Sequence, residues 1–158
     1  MKITIHILYN CKKSIATEKS QKEKNIYKEV AFFGGRFTGI DVEHQNELLE
    51  AAFEYIKEKK VDGIRISTRP DYIDKQTLKR LKKYKVKTIE LGVQSTNDYV
   101  LKKCKRGHTF EDVKNASKLI RRYGFNLGHQ MMVGLPESTE LDDLNTARDL
   151  AKLKPKIV

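Results

Sequence analysis

Cysteine is scarce: the 158 residues hold two, Cys11 and Cys104, far apart in the chain. That count excludes a disulfide framework, suits a reducing compartment and leaves no paired thiols for a zinc ribbon or finger. The four histidines, His6, His44, His108 and His129, do not fall at metal-ligand spacing. No apolar run approaches the roughly 20 residues that a membrane helix needs. A short apolar patch opens the chain (MKITIHILYN), but no small-residue cleavage site follows it. A cytoplasmic protein is expected.

What is present is enough for one domain with a single core: 18.3 kDa, 39% hydrophobic and 34% charged residues. The net charge of +11 and pI near 9.6 leave two readings open. A basic field favours polyanions such as nucleic acids; a lysine-rich surface of no special purpose has the same composition.

From about residue 28 the chain alternates strand-like and helix-like segments. Val30-Ala31-Phe32-Phe33 is a continuous apolar run closed by Gly34-Gly35, as expected of a strand buried on both faces. Asp41 is placed to cap a helix whose Leu48, Leu49, Ala52, Phe53 and Ile56 recur at helical spacing. Gly63–Ser67 reads as the next strand, ended by Arg69-Pro70-Asp71, and Asp74 caps a short helix burying Leu78 and Leu81. Lys87–Leu91 is a third strand running into Gly92-Val93-Gln94-Ser95, with a helical stretch near Tyr99–Lys103. Thr109 and Asp112 form a capping pair for a helix buried through Val113, Ala116, Leu119 and Ile120 and stopped by Gly124. A fourth strand runs from about Leu127 to Val133 into Gly134-Leu135-Pro136, and the helix after it carries Leu141, Leu144, Ala147, Leu150 and Ala151 on its apolar side. Pro155–Val158 begins a further strand, an ending expected of a fragment.

Strands separated by helices imply parallel pairing through right-handed crossovers, with functional groups gathered where the strands end. The expected fold is α/β, a partial (β/α) TIM-like barrel with outer helices, incomplete at both ends; a doubly wound sheet is the second choice. The strand ends offer no buried lysine for aldolase-type chemistry.

The strand ends also carry a family resemblance. Phe32-Phe33-Gly34-Gly35-Arg36-Phe37-Thr38-Gly39, Ile66-Ser67-Thr68-Arg69-Pro70-Asp71, Glu90-Leu91-Gly92-Val93-Gln94-Ser95, Arg106-Gly107-His108-Thr109 and Met131-Met132-Val133-Gly134-Leu135-Pro136 follow one another in order. No one of these motifs is specific, but the ordered set resembles the radical-SAM core of the Elongator catalytic-subunit type, with oxygen-independent coproporphyrinogen oxidase a more distant relative. The resemblance implies a partial barrel that binds S-adenosylmethionine (SAM) beside a [4Fe–4S] cluster. It also implies reductive cleavage of SAM to a 5′-deoxyadenosyl radical, and transfer RNA or another RNA as partner.

It further implies cofactor-binding roles. Gly34 and Gly35 match the double glycine whose backbone approaches the SAM ammonium, and Ser67 stands where many relatives have a glutamate. Gln94 matches a glutamine that reaches the ribose or carboxylate. Arg106 matches an arginine that faces the SAM carboxylate, a natural fork-to-fork pairing. Gln130 matches a polar residue directed at the adenosine, and Gly134 the loop beside the adenine. Arg69 and Asp71 are balanced between ligand contact and a structural turn around Pro70. Cys104, His108 and His129 read as structural. The lysines and arginines from Lys79 to Lys87 form either a solvated helix face or part of an RNA-binding surface.

The resemblance is incomplete. The family's Cys-x-x-x-Cys-x-x-Cys is absent; in its region stands Tyr9-Asn10-Cys11-Lys12-Lys13-Ser14-Ile15, and one thiolate cannot hold the cluster. Glu137 stands where relatives usually have a small residue, commonly glycine. Residues 1–28, with strand-like Ile3–Tyr9 and a lysine-rich stretch from Lys12 to Lys28, are expected to be a degenerate remnant of the first strand and cluster loop. Residues 29–158 are expected to be the partial core. Whether the chain is itself an enzyme stays open. It reads as a radical-SAM fragment inactive on its own, with a partner chain completing the barrel as one possibility. The other reading is a non-catalytic basic remnant that binds RNA or a protein.

Overall fold

Four parallel strands, side by side in chain order, form the sheet of the computed structural model, which describes residues 27–158. They are β1 (Glu29–Phe32), β2 (Gly63–Thr68), β3 (Val86–Gln94) and β4 (Asn126–Met131). Between and after them run α1 (Val42–Lys57), α2 (Lys75–Lys83), α3 (Asp98–Lys103), α4 (Phe110–Arg122) and α5 (Glu140–Lys152). Past α5 the chain returns to the sheet: Lys156 N donates to Leu127 O at 2.8 Å and His129 N to Ile157 O at 2.9 Å. This is an isolated parallel bridge beside β4. The architecture is the α/β partial barrel that the alternation implies. The expected strand at Ile3–Tyr9 and the Cys11 region lie outside the described residues.

Helix starts are written in the sequence. The Asp41 carboxylate accepts from Glu43 N and His44 N, and the Asp74 carboxylate accepts from Thr77 N at 2.6 Å. Thr109 with Asp112, and Thr139 with Asp142, close reciprocal capping boxes. Helix stops are less legible. Gly124 takes the left-handed conformation after α4, with φ +80°. After the other helices that conformation falls on Lys59, Lys85, Lys105 and Lys154, where no glycine announces it.

The sheet has two unlike faces. Ile64, Ile66, Ile89, Leu91 and Leu127 point into the helix layer, fully buried with Leu49, Leu78, Leu81 and Ile120. Each such side chain contributes about 1.5–3 kcal/mol by leaving water. The alternate residues, Glu29, Arg65, Ser67, Thr88, Glu90 and Gln130, face the barrel interior and bond to one another.

Two burial expectations are corrected. The apolar run at β1 is not buried on both faces: Val30 and Phe32 pack on the helices, while Ala31 is exposed and Phe33 is 74% exposed. β1 is an edge among the described strands, so only its helix side is covered. In α5, Leu141 and Leu144 are 61% and 55% exposed, Ala147 and Ala151 are exposed, and the buried residues are Thr146 and Leu150. Polar ties set this rotation. Thr96 N donates to Thr146 Oγ1 at 3.1 Å, and Asn97 Nδ2 to Asp142 Oδ1 at 2.8 Å.

Candidate cofactor site at the strand ends

The chain leaves β1 through Gly34 and Gly35, at φ +123° and +67°. A Cβ at either would meet nothing within 4 Å. Glycine is therefore needed there for conformation and not for packing, and the backbone faces open space. The segment beyond is pinned. Phe37 stacks on Phe32 with ring centroids 5.1 Å apart, and the Thr38 and Thr68 hydroxyls bond at 2.6 Å. Buried Gln45 donates to Ile40 O at 2.8 Å and itself accepts from Arg80 Nη2 at 2.7 Å.

Near the ends of β2–β4, a network runs across the inner face. Gln130 Nε2 donates to Glu90 Oε2 at 2.7 Å and to Ser67 Oγ at 3.2 Å, and Ser67 Oγ donates to Glu90 Oε2 at 3.2 Å. Arg65 ion-pairs with Glu90 and, at 2.9 Å, with Glu29. Thr88 donates to Glu29 at 3.1 Å. Gly128 makes room for this: a Cβ there would lie 2.8 Å from Glu90 Cγ. Ser67 and Gln130 are thus brought together, with their donors committed to Glu90. The sequence reading missed Glu90, Arg65 and Glu29. Their signal was the polar half of the alternation in Ile64-Arg65-Ile66-Ser67 and Thr88-Ile89-Glu90-Leu91, which puts unlike charges on one face.

Gln94 and Arg106 meet at the end of β3. A Cβ on Gly92 would lie 3.0 Å from Gln94 Nε2 and 3.5 Å from Arg106 Nη2. Gln94 is buried and holds φ +71° at a bulge in the pairing of β3 with β4. A non-glycine residue pays about 1–3 kcal/mol for such a conformation, and such residues cluster at ligand sites. Arg106 has no side-chain acceptor among the described residues, and its Nε is buried without a partner. Burial, and then the charge of Arg69, pull its pKa below the ordinary guanidinium value; it remains a cation. A partly buried guanidinium whose Nε has no partner is complementary to a carboxylate.

Gly134, at φ +71°, donates its N–H to Asp143 Oδ2 at 2.9 Å. It lies on the same edge as Gly34, Gly35 and Gln94, because all follow the carboxyl ends of parallel strands. The N–H of Gly134 goes to Asp143, and no hydrogen bond joins it directly to the other candidates among the described residues. Arg69 forks onto Asp71 at 2.9 and 2.6 Å and stacks over Tyr72, contacts that build the turn around Pro70.

His108 faces Val93 O at 3.2 Å through Nε2, and His129 faces Ser117 Oγ at 2.9 Å. Both have pKa values lowered by burial, His129 to about 4. Cys104 sits at the end of α3, 3.8 Å from Pro136 O. Glu137 is exposed and holds φ +65°, which is the physical reason glycine suits that position.

A four-stranded parallel sheet with outer helices and a polar rim defines this chain as part of a (β/α) barrel. The sequence profile of the Radical SAM superfamily matches residues 15–150, and the chain belongs to that superfamily. The tRNA uridine(34) acetyltransferase of Methanocaldococcus infernus is 29% identical over 132 residues, 72% of this chain and 25% of that protein. The solved structure of archaeal Methanocaldococcus infernus Elp3 superposes with a TM-score of 0.79 at 24% identity, covering 90% of this chain and 38% of that one. Coproporphyrinogen III oxidase (HemN) from Escherichia coli, a radical SAM enzyme, superposes at 0.68 and 19% identity, covering 98% and 36%. These superpositions show the fold, a radical-SAM-type partial barrel resembling that of Elp3. The chain spans less than half the length of the curated relatives it matches.

The family implies SAM and a [4Fe–4S] cluster, and the residues fit the two unequally. The partnerless Arg106, the strained Gln94 and the open double glycine suit an amino acid ligand with a carboxylate and an ammonium. The cluster is not matched: no group of metal-ligating side chains occurs among the described residues. Two cysteines in the whole sequence also fall short of the three thiolates that such a cluster takes in this family. No helix among the described residues is long and apolar enough to cross a membrane.

Proposed function

We propose that this chain is the SAM-holding part of a radical-SAM core that serves RNA modification, and that alone it does not cleave SAM reductively. The observation that carries the reading is Arg106, a cation with a buried, partnerless Nε beside Gln94, on the rim that bears Gly34 and Gly35. In this reading Arg106 holds the methionine carboxylate and Gln94 donates from its amide. The backbone at Gly34 and Gly35 accepts from the ammonium, and the Gly134 loop borders the adenine. Beside a reduced cluster, SAM supplies a 5′-deoxyadenosyl radical; a partner polypeptide bearing the thiolates would have to bring that cluster. The RNA part draws on the relatives, one of which is a tRNA uridine(34) acetyltransferase, and on the net charge of +11.

Equilibrium dialysis of the full chain with labelled SAM tests the site. Binding is expected in the wild type, and Arg106→Gln should weaken it by tenfold or more, the worth of one charge-assisted fork. Unchanged affinity in Arg106→Gln removes the assignment. After anaerobic treatment with iron, sulfide and dithionite, no 5′-deoxyadenosine is expected; its appearance overturns the inactivity. The second reading, a non-catalytic basic module that binds RNA or a protein, is favoured by the same shortage of thiolates. It parts from the first at the dialysis step, where it requires that SAM not bind.

A further inference from the structure

Two stretches of the chain carry many cations and no carboxylate. Residues 75–89 and 113–136 hold eleven lysines and arginines and no aspartate or glutamate, while the rest of the chain holds twenty-one of each sign. These stretches cover most of two neighbouring βα units, α2–β3 and α4–β4, whose own carboxylates, Glu90, Glu111 and Asp112, fall just outside them. The connecting helices of a parallel sheet run opposite to its strands, so α2 and α4 both end at the edge where the strands begin, away from the Arg106 rim. Their ends are tied together there by Lys82 Nζ, which donates to Tyr123 O at 3.0 Å. Lys82, Lys83, Lys85, Lys118, Arg121 and Arg122 are all exposed, and none has a carboxylate partner among the described residues.

Helix ends attract cations through the macrodipole, at about 0.3–1 kcal/mol each, but that does not explain the missing carboxylates. The flanking helices show the ordinary arrangement. At the end of α1, Lys57 pairs with Glu54 and Lys60 with Glu58; at the end of α5, Lys152 pairs with Asp149. The ends of α2 and α4 are left unneutralised, as are Lys102 and Lys103 at the end of the short α3. The chemistry that fits is a polyanion with a repeating fixed charge. A lipid surface fits less well, because no exposed large hydrophobic residue lies on α2, on α4 or in the turns that follow them, so nothing there would insert.

We infer that this face, at the edge of the sheet opposite the Arg106 rim, docks the phosphodiester backbone of RNA. The inference deepens the proposed function and rests on it for the choice of RNA; the placement rests on the charge distribution alone. RNA held there leaves the rim free, so SAM and RNA bind without competing.

The test is fluorescence anisotropy of the full chain with unfractionated tRNA between 50 and 200 mM KCl. The variants are K82Q/K83Q/R121Q/R122Q, its K82R/K83R counterpart and R106Q. The fourfold neutralised variant should bind at least tenfold more weakly at 100 mM and lower the salt slope by roughly 3, at about 0.7–0.9 for each phosphate no longer neutralised. The arginine variant and R106Q should bind tRNA as the wild type does, and saturating SAM should not shift the curve. Circular dichroism and SAM dialysis on the fourfold variant check its fold. Wild-type tRNA binding with an unchanged slope in the fourfold variant overturns the placement alone. Absence of wild-type tRNA binding overturns both the placement and the RNA part of the proposed function, while SAM dialysis still reports on the rim. Co-sedimentation with phosphatidylserine vesicles that is lost in the fourfold variant, with tRNA binding intact, assigns the face to lipid and overturns the inference.

Discussion

Arg69 Nη2 donates to the carbonyl of Gly107 at 3.1 Å, tying the turn after β2 to the loop that carries Arg106. Gly107 holds φ +72°, and a Cβ there would lie 2.6 Å from that same nitrogen. Arg69 cannot easily swing aside, because Asp71 grips it with two bonds. Gly107→Ala should therefore destabilise the chain by about 1–3 kcal/mol, from backbone strain plus the steric conflict. Urea unfolding checks this. The double variant Gly107→Ala with Arg69→Ala should recover the steric share and keep the backbone share. A Gly107→Ala chain as stable as the wild type would contradict the geometry.

Glu137 is the reverse case. It is exposed, with φ +65°, so its side chain stands in a conformation that favours glycine by about 1 kcal/mol. Glu137→Gly should raise stability by about that amount, or Tm by roughly 2–4 °C for a chain of this size. Calorimetry reads it directly. A fall in Tm would show that the Glu137 side chain makes a contact worth more than the strain.

These two glycine-type positions also show what the sequence reveals and what it hides. Gly34-Gly35 and Gly124 were readable because glycine marks a left-handed backbone. Lys59, Lys85, Lys105 and Lys154 take the same conformation without a mark, so those helix ends were visible only through the element that follows. Asp41, Asp74 and Thr109 were readable as caps because a side-chain oxygen before an apolar repeat has one common use. α5 misled because its leucines recur at helical spacing while its rotation is set by Thr146, a residue that apolar periodicity ignores. At the rim, Gln94 and Arg106 were placed by motif. Glu90 was not, since a carboxylate within a strand finds its meaning only when Arg65 and Gln130 arrive from the neighbouring strands.

Acid should destabilise the fold through its buried histidines before its carboxylates respond. His129 is 2% exposed, bonded to Ser117 through Nε2, with Nδ1 buried and unpartnered. Burial lowers its pKa from 6.5 to about 4. The unfolded chain therefore takes up a proton at a pH where the folded chain does not. The stabilisation is complete above about pH 6.5 and is lost as pH falls toward 4, by up to about 3 kcal/mol. His108, also lowered by burial, acts with the same sign. Asp112 and Asp142, held below the usual carboxylate value by Thr109 and Thr139, add their loss only at lower pH. Urea unfolding at pH 7.5, 6 and 4.5 should show a steep fall in the wild type and a shallower one in His129→Leu. Parallel slopes would refute the assignment.

The inner-face network makes the sharpest energetic claim. Arg65 is the cation between two carboxylates, Glu29 and Glu90, whose side chains are 9% and 10% exposed. Arg65→Met leaves both without a counter-ion and should cost about 3–5 kcal/mol. Glu90→Gln keeps the Arg65–Glu29 pair and leaves Gln130 and Ser67 a neutral acceptor, so it should cost only about 1–2 kcal/mol. The double variant Arg65→Met with Glu90→Gln removes one of the two stranded charges and should be less destabilised than the sum of the single changes. Denaturant unfolding of the three variants closes the cycle. Strict additivity would mean that Arg65 and Glu90 do not interact in solution, and that the polar interior is a row of independent side chains instead of one network.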